Sequence, residues 1–177
     1  MTVLKPFTRG TRLHDVFAQL PQQYNPLIDY HEALLRGDSP LTVAERELIA
    51  AFVSGLNACA YCHGVHSRTA EAFGLSANLL AALSKNIDAA PVDPRLKPIL
   101  HYVAKLTRTP SRMTSADAET VFAAGWNDRA LHDAIAVCAL FNLMNRLVEG
   151  LGIEGDEHYA RSAGQRLKRE GYLGLKT

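Results

Sequence analysis

Cys59, Cys62 and His66 stand within the decapeptide NACAYCHGVH at residues 57–66, and Glu47 precedes them in the chain. The chain has only 3 cysteines, and two of them fall within one helical turn of each other and of an imidazole. Three chemistries share that spacing: a reactive thiol pair, a metal site and a haem attachment point.

Each makes different demands. A structural zinc needs four ligands, usually two pairs from separated segments; here one cluster exists, with no second CxxC or HxxxH pair. Cys59-Ala60-Tyr61-Cys62-His63 is also the CxxCH string of c-type haem attachment. That chemistry requires export to an oxidising compartment and an axial partner for His63. The reactive pair asks only for a base close to one sulfur, and His66 stands at the offset that supplies it. No metal or bound cofactor is expected. Cys138, in an apolar stretch, reads as a small buried hydrophobe.

Helical periodicity and helix punctuation run along nearly the whole chain, with no sustained alternation of period two. The expected fold is all-α, one domain over 1–177 of about eight helices, with the CxxC at the start of a central helix. Asn25-Pro26 can open a helix that Gly37 closes. Thr42 with Glu45 forms a capping box for a helix running toward Gly55. Asn57 is a natural N-cap for the motif helix, which stops at Gly74. Ser76 starts a short helix, and a proline-rich connection at 91–98 leads into another at 99–106. Thr114 with Asp117 opens the next. Asn127 caps a long apolar helix ending at Gly150, and Asp156 begins a charged last one. VCALFNLMNRLVEGLG (137–152) can be laid on the motif helix with Cys138 on Cys59, Phe141 on Cys62 and Asn145 on His66, so 114–152 is a candidate degenerate repeat.

Composition narrows the partners. The 177 residues are 47% hydrophobic and 21% charged with a net charge of +1, which suits a globular domain and gives no pull toward nucleic acid or an anionic membrane. Arg161, Arg166, Lys168, Arg169 and Lys176, mixed with Glu170, read as a solvated helix face. The start MTVLKPFTRGTRLHDVF lacks a signal-like apolar run, and no stretch approaches about 18 apolar residues. A reducing cytoplasm is therefore the expected compartment, where a close Cys pair is catalytic or metal-binding more often than a structural staple.

Helix geometry separates the two cysteines. With about 100° per residue and Cys59 at 0°, Cys62 falls near about −60°, His66 near about −20° and His63 near about +40°. The apolar stripe through Ala58, Val65, Ala72 and Phe73 centres on the Cys62 side. Cys62 and His66 are thus expected to look inward, Cys59 to sit at the rim, His63 to lean away and Tyr61 to point to the far side. His66, one turn on, can take the Cys62 proton directly or through a water. Cys59 is placed to attack an oxidised Cys62. Glu47 borders the apolar face of its own helix and can fold back against the pair as part of a proton relay. Asn142 and Asn145 are polar residues in an apolar helix that must find partners, by buttressing the motif helix or lining a pocket.

The ordered set Glu47, Cys59-Ala-Tyr-Cys62 and His66, inside RELIAAFVSGLNACAYCHGVHSRTAEAFG (46–74), resembles the core signature of AhpD-like alkylhydroperoxidases in the carboxymuconolactone decarboxylase-like superfamily. The likeness is strong over 42–74 and extends to FNLMNR at 141–146. It implies an all-α fold, a homo-oligomer (dimer, trimer or hexamer) and a thiol peroxidase that reduces a small hydroperoxide. Cys62 would be the peroxidatic cysteine, Cys59 the resolving one, and His66 with Glu47 the proton relay. Some members carry histidine where this chain has Tyr61, and His63 could substitute in part. The reductant the family suggests is external, a lipoyl group or a thioredoxin-like protein. Two other readings share the same residues: a dithiol–disulfide sensor or exchange protein without peroxidase turnover, and a non-redox decarboxylase-like member.

Overall fold

The computed structural model describes residues 10–176. The expectation of no signal-like run at the start concerns residues 1–17, of which 1–9 lie outside the described ones. Among the described residues there are nine α-helices, two short 3-10 turns and no strand. The helices are α1 (Leu13–Gln19), α2 (Pro21–Arg36), α3 (Val43–Leu56), α4 (Ala60–Ala72), α5 (Leu79–Lys85), α6 (Leu96–Arg108), α7 (Ser115–Ala123), α8 (Asp128–Leu151) and α9 (Glu157–Glu170). The 3-10 turns are Pro110–Arg112 and Leu173–Leu175. The all-α class is as expected, with α1 as an additional helix.

Several ends follow from capping chemistry. Thr42 accepts from the Glu45 amide while the Glu45 carboxylate accepts from the Thr42 amide at 2.7 Å, and Thr114 with Asp117 repeats the box on α7. Asn127 and Asp156 cap α8 and α9 through the amides of Ala130 and Tyr159. Besides the starts of α5 at Leu79 and α6 at Leu96, three boundaries differ from expectation. Helix α2 opens at Pro21, whose fixed φ and missing N–H suit the first helical position, so Pro26 lies inside the helix instead of beginning it. Helix α8 runs through Gly150 to Leu151 because Gly152, at φ 66°, supplies the left-handed residue that ends it. The third, at Asn57, belongs to the site.

Helix α3 is the centre of the bundle. Arg46 through Ser54 are all buried, so α3 has no solvent face in its middle. It packs against α2, α4, α5, α6 and α8. The buried Arg46 guanidinium donates to the carbonyls of Leu34 at 2.7 Å and Gly37 at 2.8 Å, which ties the open end of α2 to α3.

Helix α8 corrects one expectation. It has 24 residues, and an 18-residue window within it has a mean hydropathy of 1.4, long and apolar enough by length and composition to cross a membrane. In this fold its apolar positions face α2, α3, α4, α6 and α7, with Val137, Phe141, Met144 and Val148 buried. The apolar run serves as the inner wall of the core.

Helix α9 lies close along α4, and Gly164 permits the approach. A methyl group there would sit 2.8 Å from the Arg68 carbonyl carbon and 2.9 Å from the Thr69 nitrogen, both backbone atoms. Because those atoms cannot swing away, Gly164→Ala should cost about 1–3 kcal/mol through overpacking. A lowered urea midpoint checks this; an unchanged midpoint would mean that α9 can shift freely on α4.

Candidate active site

The α3–α4 junction sets the geometry of the cysteines. Helix α3 ends at Leu56 with Asn57 as its C-cap, and Ala58 adopts φ 55°, a left-handed conformation uncommon for a residue with a side chain. That turn makes Cys59 the N-cap of α4. Asn57 is therefore not the cap that its residue type suggested. Its side-chain amide is committed elsewhere, donating to Asn145 Oδ1 at 2.9 Å and Asn142 Oδ1 at 3.1 Å on α8. Asn145 in turn donates to Ser54 Oγ at 2.9 Å. Of their two expected roles, both asparagines take the buttress, and neither lines the cavity described below.

At the N-cap, Cys59 is fully buried instead of lying at the rim, and Cys62 is 3% exposed. All three cysteines are free thiols. The Cys62 thiol donates toward the Cys59 sulfur, which lowers the Cys59 pKa against the opposing effect of burial; the Cys62 amide adds to the lowering. Although the geometry falls short of a full cap hydrogen bond, that amide points the α4 N-terminus at the sulfur. The same thiol contact, followed by burial and the Cys59 charge, raises the Cys62 pKa. Asn145 works to lower it, and Glu149 on α8 opposes charge on both sulfurs. The contact thus splits the pair, favouring loss of a proton from Cys59 before Cys62. Among the described residues no direct hydrogen bond joins Cys62 to His66, whose ring partners are Glu47 and Tyr172.

His66 is bound from the other side. Its Nδ1–H donates to Glu47 Oε2 at 2.7 Å, which leaves Nε2 without a hydrogen bond among the described residues. The carboxylate fixes this tautomer, because it can only accept. The fully buried Glu47 also accepts through Oε1 from Arg36 Nη1 at 2.7 Å and Tyr172 Oη at 2.8 Å. Burial alone would raise the Glu47 pKa; His66 and Arg36 outweigh it and hold the carboxyl below its usual range. Burial, reinforced by the Glu47 charge, keeps the Tyr172 phenol protonated as a donor. Phe141 presents its ring to His66 edge-on with centroids 4.4 Å apart.

Cys62 and His66 line one apolar cavity walled by α1, α2, α4, α8, α9 and the C-terminal turn. Tyr61, expected on the far side of its helix, lines it as well, because α9 packs there and Tyr159 Oη meets Tyr61 Oη at 2.7 Å. Burial, then Tyr159, raises the Tyr61 pKa. His63 does lean away. Its Nδ1–H donates to the Ala51 carbonyl at 2.9 Å, and its ring borders a separate cleft beside Cys59 with Gly55, Leu80 and Arg108. Cys138 is buried against Val103 and Thr107, apart from the pair. No group of three or more potential metal ligands occurs among the described residues.

A model of the carboxymuconolactone decarboxylase family matches residues 21–104, the stretch that holds Arg36, Glu47, both motif cysteines and His66. The fold is similar to a crystal structure described as an uncharacterized peroxidase-related protein from Silicibacter sp. TM1040. That match is 30% identical, covers 84% of this chain and 78% of that one, and has a TM-score of 0.78. The chain belongs to the AhpD-like carboxymuconolactone decarboxylase superfamily. A second structure, described as an alkylhydroperoxidase AhpD core, an uncharacterized peroxidase-related protein from Ralstonia eutropha JMP134, is 26% identical. It covers 82% of this chain and 78% of its own length, with a TM-score of 0.76. None of the curated proteins is similar enough to this member of the superfamily to match.

Four residues of the site carried no signal that sequence reasoning used. Arg36 and Tyr172 complete the Glu47 cage, and Tyr172 comes from the far end of the chain. His31 lines the cavity, donates Nδ1–H to the Leu27 carbonyl at 2.7 Å, and lies 5.3 Å from the Tyr172 ring. Arg166, expected on a solvated face, also lines it.

His31 makes a testable contribution to stability. Burial lowers its pKa from 6.5 to about 4, partly offset by the Leu27 carbonyl. Between those values the unfolded chain binds a proton that the folded one excludes, so stability is complete above about pH 6.5 and falls as pH drops toward 4. The lost amount is about 3 kcal/mol. Urea unfolding of wild type and His31→Gln at several pH values tests it: the slope between pH 6.5 and 4.5 should be shallower in the variant. Equal slopes would mean that His31 protonates without cost.

Proposed function

We propose that this protein is a thiol-dependent hydroperoxide reductase in which Cys62 attacks the peroxide, Cys59 resolves it, and His66, oriented by Glu47, moves the protons. The observation that carries this reading is that Cys62 and the Glu47-bound His66 share one apolar cavity, while Cys59 touches Cys62 from behind. Cys62 becomes nucleophilic when its proton passes to the Cys59 thiolate or to His66 Nε2. Its sulfur then attacks one peroxide oxygen. An S–O bond forms, the O–O bond breaks, and the departing alkoxide takes a proton to leave as the alcohol. The Cys59 thiolate attacks the sulfenic sulfur, an S–S bond forms, and the hydroxyl leaves as water with a relayed proton. An external dithiol, of the lipoyl or thioredoxin type, supplies the two electrons that restore both thiols. The left-handed Ala58 beside the cap supports this step, because a disulfide needs Cβ atoms closer than an ideal helix holds them.

Thiol titration with intact mass measures the cycle. Of the 3 cysteines, two should be lost on addition of a hydroperoxide, with a mass decrease of two hydrogens and no added oxygen. Cys59→Ser should instead stop at a trappable sulfenic acid, and Cys62→Ser should consume no peroxide. A pair that cycles with added dithiol but consumes no hydroperoxide would replace this reading with a redox sensor. Cys62→Ser with full activity would leave only a non-redox role.

The relay has its own readout. In a Cys59→Ser background, where only Cys62 of the pair can react, adding His66→Ala should slow alkylation of Cys62 at neutral pH by about tenfold, as a rise of about one pKa unit requires. Equal rates would remove His66 from thiolate formation.

A further inference from the structure

The cavity that reaches Cys62 is apolar over most of its wall, with Leu13, Phe17, Ile28, Val65 and Met144 among its lining. Among the described residues, three buried side-chain nitrogens lack a hydrogen-bond partner: His14 Nδ1, Arg36 Nε and Arg166 Nε. Arg36 belongs to the Glu47 cage, and the other two residues line this cavity. The rest of α9 is different. Arg161 pairs with Glu157, Arg169 with Glu170, and Lys168 donates to the Ala72 carbonyl. Arg166 has no such partner among the described residues.

A cation held against an apolar wall without a counter-charge is costly, and its cost is relieved by an anion of matching shape. A guanidinium fork fits a carboxylate through two parallel N–H···O bonds. Arg166 and the His14 ring line the same cavity, and with His14 Nδ1 unpaired and its Nε2 3.2 Å from Asp15 Oδ1 they suit a single negative charge; a phosphate carries more charge than this wall can answer. We propose that the cavity, of about 60 Å³, takes a small hydroperoxide whose short apolar body ends in a carboxylate, with Arg166 binding the carboxylate, His14 Nδ1 as a second polar contact and the peroxide group at Cys62. The substrate class rests on the peroxidase reading above; the anion site does not.

Two measurements separate them. The first compares kcat/KM for a short-chain hydroperoxy acid, 6-hydroperoxyhexanoic acid, and its methyl ester. Wild type should favour the acid by at least about tenfold, the scale of a charge-assisted contact. Arg166→Gln should bring the ratio close to one, chiefly through a higher KM for the acid, and Arg166→Lys should recover part of it. The second needs no turnover: hexanoate, more than hexanol, should slow alkylation of Cys62 in wild type and lose that advantage in Arg166→Gln. A wild-type ratio near one, with hexanoate protecting no better than hexanol, overturns the anion site and leaves the peroxidase standing. Hexanoate protection that depends on Arg166, with neither hydroperoxide reduced, supports the anion site and sinks the peroxidase reading.

Discussion

The buried Glu47 carboxylate is the interaction on which the rest of the structure depends. A carboxylate in the interior is destabilising unless its lone pairs are met, and each of the three partners that meet them comes from a different segment. Arg36 is the last residue of α2, His66 lies on α4, and Tyr172 follows α9. One charge in α3 therefore cross-links four parts of the chain. It also sets chemistry: by accepting from His66 Nδ1, it determines which ring nitrogen stays free. The same few hydrogen bonds thus tie four segments together and fix the orientation of His66.

The cysteine pair is governed by a second constraint, the reversal between α3 and α4. Ala58 turns the chain in a conformation that costs about 1–2 kcal/mol and places Cys59 at the N-cap, where the Cys62 thiol and amide converge on its sulfur. Of the two sulfurs, the one at the cap gives up its proton more readily, and the one that faces the cavity holds its proton more tightly. The strained turn is held by Asn57, Asn142, Asn145 and Ser54, a polar chain between α3 and α8.

The cavity adds selectivity to this reactive core. Its walls come from both ends of the described chain, α1 on one side and α9 with the C-terminal turn on the other. Gly164 lets α9 lie against the α4 backbone, and Tyr159 reaches Tyr61 across that contact. Superfamily membership specifies the helical frame around α3 and α4. His14 and Arg166, which line the cavity, stand on the peripheral helices α1 and α9.

Local signals accounted for much of this molecule. The capping boxes at Thr42 and Thr114, the caps at Asn127 and Asp156, and the all-helical periodicity are short-range chemistry, legible because a cap and its first turn are adjacent in the chain. The same locality made Cys59, Cys62 and His66 visible as one cluster. What sequence could not decide was direction and partnership. A helical wheel assigns angles but not what packs against them, so Tyr61 looked outward until α9 covered it, and Cys59 looked exposed until α8 and the Ala58 turn enclosed it. Asn57 is a good cap by residue type, but two asparagines on α8 compete for its side chain and take it. Arg36, Tyr172, His31 and Arg166 are scattered from position 31 to position 172 and become a site only when helices distant in sequence converge on one buried charge and one cavity. Residue types and spacing determined which atoms could react; tertiary packing decided their protonation, their orientation and their access.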